Sequence, residues 1–256
     1  MILQAATTQL KPLFRFPFQD SQSRSRFLVG SGLVLAGYFV PIIPGLFAYG
    51  YALRILRFTA EGKHPVMPPW DDWSDFLSLG FRGAIVQLVF MLPAMVISLV
   101  GIAAYFGTFF LIPLSSVLDS NADGTVFVLL MAMAVLFLSM ALSTVLFALG
   151  MIPLPAATAH FAMKDQLGAA FKVREWWAVL RSNTLGYLIS FVIIAGILGI
   201  AYAAFLAAYY TLVLLCLVFF MTGPLTFYTM LVSASLFGET YREGLSSLRE
   251  RSKASA

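Results

Sequence analysis

Charge is what this sequence has least of. Lys, Arg, Asp and Glu make up 11% of its 256 residues, against 60% that are apolar. A soluble domain carries about 25% charged and about 45–50% apolar residues. A water-soluble fold of this length cannot bury so much apolar surface and still cover its outside, which excludes a soluble globular enzyme. The same apolar weight excludes a disordered chain. Cysteine is almost missing: Cys216 stands alone, so no disulfide scaffold is built within the chain. Alternating hydrophobicity of the barrel kind is missing too, because the apolar stretches are continuous and rich in Leu, Ala and Phe. A secretory leader fits poorly, since Lys11 and Arg15 lie beside Pro12 and Pro17 with no cleavage pattern before a long apolar block. What remains is an all-α, polytopic membrane protein.

The charges that exist are gathered into clusters. Four blocks between them hold no Lys, Arg, Asp or Glu: Phe27–Leu53, Gly83–Leu118, Thr125–Met163 and Ser182–Gly238. A crossing needs about 20 apolar residues. The last block has 57, enough for two crossings with a turn near Ala208–Thr211. About five principal transmembrane helices are expected, with proline breaks, in one membrane domain over residues 1–256. That domain has a basic N-terminal segment (1–26), interfacial segments at 54–82 and 164–181, and a tail at 239–256. Each interfacial segment and the tail carries four Lys/Arg, whereas Asp119–Gly124 carries none. The Lys/Arg bias puts the three rich segments, and so the C-terminus, in the cytoplasm. Net charge of +4 then reflects anchoring at the inner leaflet, with no nucleic acid as partner.

The N-terminus departs from this pattern. Lys11, Arg15, Arg24 and Arg26 would lie outside if block one crossed once. Two readings stay open: a full crossing, or a re-entrant fold of Phe27–Arg57 that turns back at Pro41-Ile42-Ile43-Pro44. Pro41 and Pro44, Pro153 and Pro155, and Pro224 each precede a helix that runs into a charge cluster. These prolines are the candidate hinges of a cavity.

Aromatics mark two surface segments. Trp70, Trp73 and Phe76 recur at helical spacing after Pro68-Pro69, with three aspartates at the positive end of the helix dipole. Phe171, Trp176 and Trp177 stand among Lys172, Arg174 and Arg181. Both read as amphipathic interfacial helices lying on lipid or docking a partner. Ala195, Gly199, Ala203 and Ala207 recur every four residues, a small-residue ridge of the kind that lets helices approach closely. It is expected to pack within the chain.

Catalytic and metal patterns are thin. Asp71-Asp72-Trp73-Ser74-Asp75 has the D-D-x-x-D form that holds magnesium on diphosphates, but no second acidic cluster faces it in the sequence. It reads as a solvated helix start. Asp119-Ser120-Asn121-Ala122-Asp123-Gly124 opens like an EF-hand loop, but its twelfth position is Leu130 and it reads as an external turn. His160 follows the Pro153/Pro155 break without an evident partner, and His64 has no ligand spacing to it. Intramembrane acids, the mark of proton-driven transport, are lacking. Gln87 and Asn183 lie at block ends. Ser139, Ser143 and Thr144 are expected to bond across helices or to their own carbonyls.

Gly50-Tyr51-Ala52-Leu53-Arg54, then Pro69-Trp70-Asp71-Asp72-Trp73, then Gly168-Ala169-Ala170-Phe171-Lys172 and Tyr241-Arg242 form a further pattern. It resembles a family of prokaryotic multi-pass membrane proteins known only as a numbered domain of unknown function. The resemblance implies an inner-membrane protein and brings no substrate, cofactor or catalytic residue. Three functions are therefore expected, in order of preference. The first is a non-catalytic membrane protein that binds lipids or partner subunits, with no cofactor. The second is a transporter or lipid-handling permease at the proline-broken helices, and the third a magnesium/diphosphate enzyme.

Overall fold

The computed structural model describes residues 11–118, 122–210 and 212–254, with side chains at 11–110, 126–210 and 218–254. The described chain is helical. A 3-10 turn at Phe16–Phe18 leads to α1 (Ser21–Ala36), α2 (Ile43–Ala60), α3 (Trp73–Leu118) and α4 (Ala122–Met151). Then follow α5 (Leu154–Lys164), a 3-10 turn (Leu167–Phe171), α6 (Val173–Ser182), α7 (Thr184–Tyr209) and α8 (Leu212–Ala254). Four stretches among the described residues are long and apolar enough to cross a membrane: Trp73–Phe110, Val126–Met151, Thr184–Tyr209 and Val218–Ala254. The Asp119–Asn121 part of the expected external turn, and Thr211 between α7 and α8, lie outside the described residues.

The first uncharged block is not among those spans, because it is broken into two arms. At its tip Ile43 N–H donates to the Pro41 carbonyl (3.0 Å) around Ile42 at φ 77°, ψ −64°. That is a γ-turn with a β-branched residue in the left-handed region, a conformation costing about 1–3 kcal/mol. Pro44 then fits the first turn of α2, where a missing N–H does no harm. The arms of 16 and 18 residues reach about 24 and 27 Å at 1.5 Å per residue, short of a hydrocarbon core of about 30 Å.

Contacts group the chain into two compact units, Met1–Val86 with Pro155–Ala256, and Gln87–Leu154. In the first, α8 is the central post. Helix α1 runs against it: Phe27 meets Phe227, Gly223 faces Ser31 and Leu35, and Tyr38 reaches Phe219. Helix α2 runs back along it, with Tyr51 at Phe227 and Thr59 at Gly238. The two arms are therefore antiparallel, and residues 11–26 return to the end of the unit where 54–72 also lie. Arg26 confirms this, donating to the Met67 carbonyl while its own carbonyl accepts from the Trp70 indole (2.9 Å). The chain path thus turns back at Pro41–Pro44, the fold-back on which the re-entrant reading rests.

Glycine sets the closest approaches. A Cβ on Gly50 would lie 1.9 Å from the Phe76 carbonyl oxygen, and one on Gly80 would lie 1.9 Å from that of Leu46. Helix α2 and the first turns of α3 thus touch backbone to backbone. Around this contact Phe16, Phe27, Tyr51, Ile55, Met67, Phe76, Phe227 and Leu231 form one buried cluster. A second joins Ala52, Leu56 and Ala60 to Ala159, Ala162, Val179, Ala234 and Tyr241. Helix α5 is buried from Pro155 to Ala162, which its Ala-rich sequence allows on every side.

In the second unit, α4 pairs antiparallel with α3: Ser143 Oγ donates to the Ala94 carbonyl (2.8 Å), Gly101 faces Ser139, and Gly150 faces Phe90. Ser139 and Thr144 bond back to their own helix, at Leu136 and Met140. Most large apolar side chains here are exposed, Leu99, Phe106, Phe137 and Leu138 among them, as lipid-facing residues are.

The glycine contact gives a test. Gly50→Ala and Gly80→Ala should each lower stability by about 1–3 kcal/mol or more, since backbone cannot yield as a side chain can. Gly32→Ala, whose Cβ meets nothing within 4 Å, should be neutral or gain up to about 1 kcal/mol from helix propensity. Thermal unfolding of the three variants in one detergent ranks them.

Candidate functional site

The titratable side chains meet where α5, α6 and α8 pack. His160 Nδ1 lies 2.6 Å from the Tyr241 hydroxyl, and its Nε2 lies 3.0 Å from Glu175 Oε2. Glu175 also pairs with Lys164 and lies 3.5 Å from Lys172. With Nε2–H donating to the carboxylate, Nδ1 accepts from the tyrosine O–H. His160 is held below the ordinary imidazole value, chiefly by burial and also by Lys164 and Lys172, with Glu175 opposing. Glu175 is lowered to about 2, chiefly by its bond to Lys164. A carboxylate–imidazole–phenol array can orient and relay a proton. Tyr241 is 1% exposed, and the array clasps α6 to α5 and α8.

Other polar groups are fasteners as well. Asp165, at φ 52° after α5, pairs with Arg57 (3.5 Å) and Arg82 (2.7 Å), tying α5 to α2 and α3. Asn183 caps α7 by accepting from Gly186 N–H (3.2 Å) and donates to the Thr240 carbonyl (3.1 Å) of α8. Ser190 and Thr240 bond at 2.8 Å in the same interface. Gln87 lies exposed on α3. The D-D-x-x-D aspartates have separate tasks: Asp72 accepts from Asp75 N–H at the start of α3, and Asp75 pairs with Arg54 at 3.2 Å. Among the described residues no three His, Cys, Asp or Glu side chains come together to hold a metal ion.

The aromatics expected at the surface divide into two groups. Phe171, Trp73 and Trp177 are exposed by 42, 41 and 37%, and Arg181 lies over the Trp177 ring at 5.5 Å. Phe76 and Trp176 are buried, which corrects their placing on lipid. Phe76 is drawn in by the glycine contact, and Trp176 donates to the Ala170 carbonyl (2.9 Å). Trp70 stacks on Tyr51 at 4.1 Å, between core and surface. The first surface helix begins at Trp73, not at Pro68, and continues unbroken as α3. Among the described residues α6 alone stands as a separate amphipathic helix, burying Trp176, Val179 and Leu180.

The small-residue ridge is corrected too. Ala195, Gly199, Ala203 and Ala207 are all exposed, and a Cβ on Gly199 would meet nothing within 4 Å. Helix α7 packs on α8 through other residues, Tyr187, Ser190 and Phe191. Of the hinge prolines, Pro41 and Pro44 bracket the arm tip, and Pro153 precedes the buried Pro155 between α4 and α5. Pro224 lies inside α8, which runs through it.

Two concavities lie in the first unit. One, of about 680 Å³, is walled by Lys11, Pro12, Arg15, Phe18, Gln19 and Arg24. The other, of about 740 Å³, is an apolar cleft between α7 and α8. Ile197, Ala201 and Ala204 line one side of it, and Met221, Pro224 and Tyr228 the other.

The helical architecture of the described residues and their long, largely exposed apolar spans define a multi-pass membrane protein. The chain belongs to the family described as a protein of unknown function (DUF4013), whose model matches residues 33–217. The G-Y-x-L-R and P-x-W-D-D-W stretches fall within the match, while residues 11–26 and Tyr241-Arg242 fall outside it. No curated protein matches the chain, and no solved structure does.

The clasp predicts a pH response with a definite sign. Because burial lowers the folded imidazole, its contribution to stability is complete above the ordinary value of 6.5 and fades as pH falls below it. The Glu175 contribution persists further and is lost between 4.5 and about 2. The thermal midpoint should drop between about pH 7.5 and about pH 5.5. His160→Gln should cost about 1 kcal/mol per lost hydrogen bond at the higher pH and flatten the drop.

Proposed function

We propose that this is a non-catalytic integral membrane protein whose work is to bind lipids, alone or within a larger membrane assembly. The observation carrying this reading is the cleft between α7 and α8, about 740 Å³ of space walled by hydrocarbon side chains and open on its flank. An apolar concavity on a membrane-spanning hairpin faces acyl chains and not water, and hydrocarbon is the ligand its walls suit. The exposed Trp177 on the separate amphipathic helix, and Phe171 in the turn before it, fit an interface with headgroups. The Lys/Arg bias supports a C-terminus in the cytoplasm, and the family resemblance supports a prokaryotic inner membrane.

Lipid handling, as in a permease, is the second reading. It is favoured by Pro224 in the cleft wall, where a missing backbone donor loosens the helix.

Purification in a mild detergent followed by native mass measurement tests the proposal. Retained phospholipid or a partner subunit on the chain is the expected result. A bare monomer that lipid does not stabilise would contradict it.

A further inference from the structure

We infer that the basic pocket and the apolar cleft are the two halves of one site for an anionic phospholipid. This rests on the lipid-binding reading above and adds the headgroup class and the residues that select it. The two concavities share a wall, Phe18, which lines both. Its ring packs 4.9 Å from Phe27 and 5.9 Å from Tyr228, so the junction is aromatic, as at a headgroup boundary.

Charge selects the head. Lys11, Arg15 and Arg24 are exposed and line one hollow, Arg24 with its Nε–H donating to the Phe18 carbonyl (3.4 Å). The one carboxylate before Glu61 is Asp20, and it is engaged with Ser23 through N–H (2.6 Å) and hydroxyl (3.1 Å) at the start of α1. Three cations beside one carboxylate leave the hollow net positive, and a phosphodiester there would form charge-assisted hydrogen bonds. A zwitterionic head would bring its own cation into the same hollow.

Shape selects the tail. From Ile197 to Ala208 the cleft follows α7 for about 16 Å at 1.5 Å per residue, a length that an extended acyl chain can follow. At the near end Leu13 and Phe14 pack on Ile197 and Tyr228, and Phe14 accepts from the Tyr228 hydroxyl (3.3 Å). At the far end α7 joins α8. Alanines 201, 204 and 208 give the cleft its depth. Its volume of about 740 Å³ suits one or two hydrocarbon chains and is too small for a helix about 10 Å across. The cleft lies on a different face of α7 from the exposed ridge at Ala195 and Gly199.

The test uses the full chain in nanodiscs of equal phosphatidylglycerol and phosphatidylcholine with identical acyl chains, and counts by native mass the lipids that stay bound. The wild type should retain phosphatidylglycerol in preference. Lys11→Gln, Arg15→Gln and Arg24→Gln should each reduce that preference roughly fivefold, while Lys11→Arg keeps it. Ala204→Trp, which fills the exposed cleft without touching the core, should reduce retention of both lipids and leave their ratio unchanged. A large excess of inorganic phosphate should not displace the lipid, because the cleft holds its chain. Equal retention of the two lipids, or no response to the three neutralisations, overturns the assignment. Displacement by phosphate together with an inert Ala204→Trp would reduce the pocket to a plain anion site and overturn the cleft half. A dimer that Ala204→Trp converts to monomer would make a second copy the occupant and overturn it as well. If the wild type retains neither lipid, the lipid-binding reading itself falls.

Discussion

Two helices touching through their backbones, at Gly50 and Gly80, are the contact on which the first unit depends. Between apolar helices in hydrocarbon, burial of apolar surface supplies little drive, and close packing has to do the work instead. Absence of both side chains lets α2 and α3 approach until Cα meets carbonyl. That approach carries Phe76 into the core and places Trp70 on Tyr51. Similar notches repeat along α8: the Phe227 ring fills the space over Gly30, and Thr59 lies over Gly238. Without them the two short arms could not lie along one post, and the N-terminal segment could not reach the base of the α7–α8 cleft.

Scarce charge has a consistent use in this molecule. Asp165 joins three helices, Glu175 anchors the imidazole clasp, and Asn183 ties a helix start to α8. Each acts at a helix end, where backbone groups and dipoles already favour it. Singly, the exposed pairs contribute little. Together they fix the order of the helices at one end of the unit. Lys11, Arg15 and Arg24 differ from these fasteners in lining an open hollow.

Much of this was legible in the sequence, and what was not has physical causes. Uncharged blocks marked the spans, because hydrocarbon tolerates no unpaired ion. The Pro41–Pro44 stretch marked the fold-back. It could not decide between crossing and return, since that depends on whether α8 offers the arms a groove. His160 looked solitary because its partners lie 15 and 81 residues away, joined only when α6 and α8 dock. The aromatics within 164–181 pointed to an amphipathic helix, which the structure places at Val173–Ser182. Aromatic spacing misplaced Phe76, because a helical stripe shows which residues share a face and not whether lipid or a glycine notch awaits them. The ridge at Ala195–Ala207 shows the converse: small residues permit close packing without requiring it. The cleft was illegible, as it arises from two helices separated by a turn and from a segment about 180 residues away in sequence.

The central claim is that residues 21–60 enter and leave on one face, so that the basic N-terminal segment lies on the same side as the end of α8. Single cysteines at Arg15→Cys and Lys253→Cys, in a Cys216→Ser background, can be labelled with a membrane-impermeant maleimide on sealed vesicles of one orientation. Labelling of both positions from the same side is the predicted result. Labelling from opposite sides would mean that the first block crosses the bilayer, and would contradict the account.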